Sequence, residues 1–160
     1  MIYMIWSQDK YRGIGINDSL PWNIPNEIQH FKNVTSGKKI LMGFNTYATI
    51  GGILKNRLNY VLVSNKTTVI KNAIMVHDYK KIVEQYADNS DDDIYVIGGK
   101  SVFELFAQYA DFLIVSLIPG EFNCNVKIDV DMSQFEEMKY EKHKEFTVHY
   151  FVRKSMNNER

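Results

Sequence analysis

Three stretches of this chain carry residues whose types and spacing could do chemistry. The first centres on Glu27, which follows Pro25 in a segment with a helical apolar repeat. On a helical projection Ile28, Phe31 and Thr35 share a face with Ile24, Glu27 lies at the edge of that stripe, and Gln29, His30, Lys32 and Asn33 point elsewhere. An acid in the first turn of a helix is favoured by the helix dipole even when fully solvated. Set against apolar surface it loses water, its pKa rises, and it becomes suited to gripping a polar ring or handling a proton. The residues alone leave both readings open. The second stretch is Ile94-Tyr95-Val96-Ile97-Gly98-Gly99-Lys100-Ser101, followed by the helical run 102–109. A strand, two glycines and a helix start leave backbone N–H groups unobstructed for a phosphate, although glycines also serve tight strand-to-helix turns for geometric reasons alone. Met42-Gly43-Phe44-Asn45-Thr46 repeats the arrangement, and two such starts in one domain point to a dinucleotide. The third stretch, Asp9 to Ile24, is a connection of about sixteen residues without amphipathic period, where connections usually take about four to six. Its Ile14, Ile16, Leu20 and Trp22 suit a lid that packs better than a linker.

Other chemistries find less support. His30, His77, His143 and His149 have no metal-binding spacing, so no metal is expected. Ser64 and Ser116 lack the setting of a hydrolase nucleophile. Cys124 has no nearby histidine and reads as a structural thiol, and the acidic run from Asp88 to Asp93 reads as a solvated loop in preference to a cation site.

These groups need a scaffold, and the pattern of the chain supplies one. Short apolar runs at 2–6, 39–42, 60–64, 73–76, 94–97 and 112–117 alternate with helical segments at 25–35, 45–50, 79–87 and 101–109, the signature of an α/β domain with a largely parallel sheet. The runs 135–142 and 146–153 flank a polar break at His143-Lys144-Glu145 and predict a closing antiparallel hairpin. At 160 residues the chain has the length of one domain. Its 19 basic and 19 acidic residues exclude a broad basic face for nucleic acid, and its longest apolar runs fall short of a membrane span. The opening Met1–Trp6 lacks the basic leader of a secretion signal and reads as a first strand. One cysteine precludes an internal disulfide, so a reducing, cytoplasmic setting is expected, and the lack of a long exposed apolar stripe agrees with a monomer.

The run Gly15-Ile16-Asn17-Asp18-Ser19-Leu20-Pro21-Trp22-Asn23-Ile24-Pro25, then Glu27 and Phe31-Lys32, resembles the signature of the dihydrofolate reductases, with a Leu-Pro-Trp lid and an acid five residues after the Trp. The resemblance continues through Met42-Gly43, Thr46, Ile50-Gly51, Leu54, Arg57, Ser64 and Ile97-Gly98-Gly99, and covers essentially the whole chain. It implies a central, mostly parallel eight-stranded sheet with an antiparallel C-terminal hairpin, flanked by about four helices. It also implies NADPH-dependent reduction of 7,8-dihydrofolate to tetrahydrofolate, in support of one-carbon and thymidylate metabolism, and binding of antifolate inhibitors.

The same resemblance makes Glu27 the acid that faces the 2-amino group and adjacent nitrogen of the pterin, with Ser116 supporting it. Leu20 and Trp22 would close over the reacting rings. Ile5, Ile28, Phe31, Ile50, Leu54 and Ile97 would line an apolar slot, Trp6 would narrow it beside Ile5, and Arg57 would pair with the glutamate tail of the substrate. On the cofactor side it implies Ser7, Ile14, Gly15 and Leu20 around the nicotinamide. Gly43, Phe44, Asn45, Thr46, Val63, Ser64, Asn65, Ile97, Gly98, Gly99, Lys100, Ser101, Val102 and Phe103 would take the remainder. Phe44 and Ser101 stand where many relatives carry arginine, leaving Ser64, Asn65 and Lys66 as donors for a 2′-phosphate. Two other readings fit the residues less well. A pyrimidine reductase of riboflavin synthesis leaves the Leu-Pro-Trp lid and Glu27 unexplained, and a nucleotide-binding module without catalysis draws mild support from Phe44 and Ser101.

Overall fold

The structure is a computed structural model that describes residues 1–15 and 19–154. Ile16, Asn17 and Asp18 of the lid signature lie outside the described residues. Eight strands form one sheet: Ile2–Gln8 (β1), Lys39–Gly43 (β3), Leu58–Leu62 (β4), Ile74–Val76 (β5), Ile94–Gly98 (β6), Phe112–Leu117 (β7), Phe135–Lys142 (β9) and Thr147–Arg153 (β10). Four helices flank it: Pro25–Thr35 (α1), Phe44–Ile50 (α2), Tyr79–Tyr86 (α3) and Lys100–Phe106 (α4). Pro25 at the first position presets the backbone angle with which α1 begins, and the Asp78 carboxylate caps α3 by accepting from the Lys80 N–H at 3.0 Å.

The strand order is β5-β4-β3-β6-β1-β7-β10-β9, parallel throughout except for β10, which runs antiparallel to both neighbours. The chain leaves β1 towards β3 by way of α1, and leaves β6 towards β7 by way of α4, so the connections from these two adjacent strands run in opposite directions. Ligands of open α/β sheets bind outside the carboxyl ends of strands at such a point. Here it is physically open: β1 pairs with β7 over six residues, Tyr3 to Gln8, but with β6 over only three, Ile2 to Met4, leaving Ile5 to Ser7 with no neighbour on that side.

Alternation along the strands builds a core on each face. On one, Met4, Trp6, Val96 and Val115 pack with Ile82 and Tyr86 of α3 and Val102, Phe103 and Phe106 of α4. On the other, Ile5, Met42, Val61, Tyr95 and Ile114 pack with Trp22, Ile24 and the partly buried Phe31.

The predicted architecture is present, with strand and helix ends differing by a few residues. Three expectations need correction. The segment Asp9 to Ile24 is not free of regular structure, because Gly13–Gly15 (β2) pairs antiparallel with Val126–Lys127 (β8). Two strands this short carry no periodicity to read. Helix α1 is rolled relative to the projection: Glu27 and His30 face the interior, while Ile28 is 42% exposed. His30 sits beside His143 and Phe146, whose parallel rings lie 4.5 Å apart in the turn between β9 and β10, a contact across 113 positions that local sequence cannot signal. Trp6 does not narrow the space beside Ile5. Adjacent strand residues point to opposite faces, and the Trp6 ring lies 5.5 Å from Phe103 in the other core.

Candidate active site

The opening between β1 and β6 continues into a groove along α1. Phe31, Leu54 and Ile97 are half-buried and pack in one cluster with Ile5 and Trp22, while Leu20, Ile28 and Ile50 are exposed. Two cavities, of about 330 and 380 Å³, are bordered by other residues.

Glu27 is 8% exposed and turns into this groove. Loss of water pushes its pKa up, and the Ser116 hydroxyl, 1% exposed, acts in the opposite direction by stabilising the charge. Ser116 lies on β7 directly opposite Ser7 of β1, so the floor beneath the acid is a pair of hydroxyls in otherwise apolar strands. The buried Trp22 indole N–H donates to the Ser7 hydroxyl at 3.3 Å. Glu27, Ser116, Ser7 and Trp22 therefore form one polar strip in an apolar wall, suited to a flat ligand with donors along one edge.

The far end of α1 carries the opposite charge. Arg57, half-buried, donates from Nη1 to the Thr35 hydroxyl at 3.4 Å and from Nε to the Lys55 carbonyl at 3.0 Å; burial draws its pKa down. Eight residues separate Glu27 from Thr35, about 12 Å along the helix. The groove thus presents a carboxylate at one end and a guanidinium at the other. The loop bearing Leu54 and Arg57 is held by Asn59, which is 1% exposed and exchanges 2.9 Å bonds with the Leu54 N–H and carbonyl while donating to the Arg57 carbonyl at 3.0 Å. Sequence reading missed Asn59; the available signal was an amide inside the apolar strand Leu58–Leu62.

Across the opening, pairing of β3 with β6 sets Met42 against Gly98 and brings the two glycine-led helix starts together. A Cβ on Gly43 would lie 2.9 Å from the Val102 methyl, and one on Gly99 would lie 3.3 Å from the Thr46 hydroxyl. Glycine at position 43 therefore lets the two starts approach, and glycine at position 99 eases the contact with Thr46. Gly98 and Gly99 are joined by a cis peptide. Lys100 is engaged by Glu104 of its own helix, while Phe44, Asn45 and Ser101 are exposed at the same rim. Val63 is buried, and Ser64, Asn65 and Lys66 follow it into solvent beyond β4. Ile14 and Gly15 lie in β2, and Phe103 is buried against Trp6, adjoining Gly98. Among the described residues no group of histidines, cysteines and acids is arranged to hold a metal ion.

The chain is similar to known proteins in both sequence and shape. The Segregation and condensation protein A of Mycoplasma pneumoniae is 34% identical over 96% of this chain, which spans only 30% of that protein's length. The dihydrofolate reductase of Ureaplasma parvum is 34% identical over 96% of this chain and 98% of its own. A solved structure of dihydrofolate reductase from Enterococcus faecalis, complexed with NADP(H) and RAB-propyl, superposes with a TM-score of 0.87 at 25% identity, covering 97% of each chain. The family model for dihydrofolate reductase matches residues 1–156, and with the acid-bearing groove and the opened sheet in place, the chain belongs to the dihydrofolate reductase family.

Proposed function

We propose that the protein catalyses NADPH-dependent reduction of 7,8-dihydrofolate to tetrahydrofolate, supplying one-carbon and thymidylate metabolism. The observation that carries this reading is Glu27, a buried carboxylate of raised pKa beside a sheet opening whose other wall is a glycine cradle. The cradle fits the cofactor: Gly43 and Gly99 let the two helix starts approach with no side chain between them, and Thr46 offers a hydroxyl there. When bound, the reduced nicotinamide supplies the hydride. The chain's own residues orient and desolvate. Glu27 grips the 2-amino group and neighbouring nitrogen of the pterin and favours the protonated ring that accepts hydride, with Ser116 fixing the carboxylate. Ile5, Phe31, Leu54 and Ile97 hold the ring system in register, Trp22 and Leu20 exclude water, and Arg57 binds the substrate's terminal carboxylate. Antifolate inhibitors compete for the same groove.

The test is a steady-state assay with dihydrofolate, followed at the reduced-nicotinamide absorbance band and run with NADPH and with NADH. Turnover is expected with NADPH, and Glu27→Gln is expected to slow it by about 100-fold at neutral pH. No turnover on any pterin, with cofactor binding intact, would leave a nucleotide-binding module as the reading. The paired cofactors test discrimination at a rim where Phe44 and Ser101 offer no guanidinium, leaving Ser64, Asn65 and Lys66 for the 2′-phosphate.

A further inference from the structure

Glu27 is not the least exposed acid. Asp9, just beyond β1, is 2% exposed and lies outside the groove, and such a charge survives only when its oxygens are fully engaged. Its Oδ1 accepts from the Gly13 N–H at 2.8 Å and the Tyr11 N–H at 2.9 Å, its Oδ2 accepts from the Phe122 N–H at 3.3 Å, and the buried Cys124 thiol donates to it as well. Burial raises its pKa, but these donors outweigh burial and hold the carboxyl below the usual range. Two separate segments are thereby tied to one side chain: the turn that begins β2, and the loop between β7 and β8.

The fit at this tie is tight. A Cβ on Gly13 would lie 2.4 Å from the Cys124 Cβ and 2.6 Å from its Sγ, so only glycine lets the two segments meet. The tie also has an outlet into the site. The ring of Phe122, whose N–H Asp9 holds, meets the Trp22 indole edge-on with centroids 5.2 Å apart, and that indole donates to Ser7, two residues before Asp9. The indole is thus held at one side by Phe122 and at the other by Ser7, both fixed relative to Asp9.

We propose that Asp9 is a positioning residue of the active site, setting the Trp22 indole through Phe122. Its kinetic consequence rests on the dihydrofolate reductase reading; its structural consequence does not. The experiment compares Asp9→Asn, Phe122→Leu and the double variant with the parent. Trp22 is followed by its indole N–H signal in NMR, assigned through Trp6→Phe, and turnover of dihydrofolate is followed in parallel. Asp9→Asn is expected to shift or broaden the Trp22 signal and to lower kcat by about tenfold with KM for dihydrofolate changed by less than about twofold. Phe122→Leu should do the same, and the double variant should be no slower than the worse single one, because both changes break one link. An unmoved Trp22 signal in Asp9→Asn, or losses that multiply in the double variant, would overturn the proposal. Should Asp9→Asn fail to fold, Phe122→Leu decides alone: a Trp22 signal and kcat like the parent's would overturn it. Were the parent itself inactive on dihydrofolate, the functional reading would fail, while the indole signal would still test the link.

Discussion

Glu27 couples function to stability. Because the fold raises its pKa, the unfolded chain ionises first as pH rises, and the folded state loses stability between the ordinary glutamate range and the raised value. Glu27→Gln should therefore melt a few degrees above the parent at neutral pH, and the difference should vanish below about pH 3 in thermal scans. Ser116→Ala removes a group that favours the charged form, so Glu27 should titrate higher still, visible as an upward shift of its break in the pH profile of kcat/KM. Sequence placed Glu27 beside an apolar stripe because helical spacing is local information. It misplaced His30 and Ile28, since His30 packs beside Phe146 and His143, far along the chain.

At the scale of elements, the cofactor edge depends on the close approach of α2 and α4. Gly43→Ala should cost about 1–3 kcal/mol in denaturant unfolding and weaken nicotinamide dinucleotide binding, because the new methyl meets Val102. Adding Val102→Ala should restore part of both. The helices and long strands were legible because each carries its own period or apolar run. The β2–β8 pair was not, because two and three residues hold no period and their pairing spans more than a hundred positions. The two glycine-led starts were legible as a feature, but their meeting depends on β3 lying beside β6.

The whole molecule has a protected centre and lightly held margins. Strands β1, β6 and β7 are covered on both faces, whereas β5 is a three-residue edge and seven of the eight residues of the opposite edge, β9, are exposed. Backbone amides of β1 and β6 should exchange with deuterium at least about 100-fold more slowly than those of β5 and the outer half of β9, as read by NMR or mass spectrometry. Sequence announced a mostly parallel sheet, but strand order follows from how the crossovers pack, and alternation along β1 decided that Trp6 and Ile5 belong to different cores.

The neighbours of β1 come late in the chain, since Ile2 pairs with Ile94 and Tyr3 with Phe112. During synthesis the strand must wait, unpaired and apolar, until β6 and β7 have left the ribosome. A nascent chain arrested before Ile94 has neither β6 nor β7 beside β1, so no small molecule can rescue it by binding there. Ligands protect the fold only once β6 and β7 stand on either side of β1.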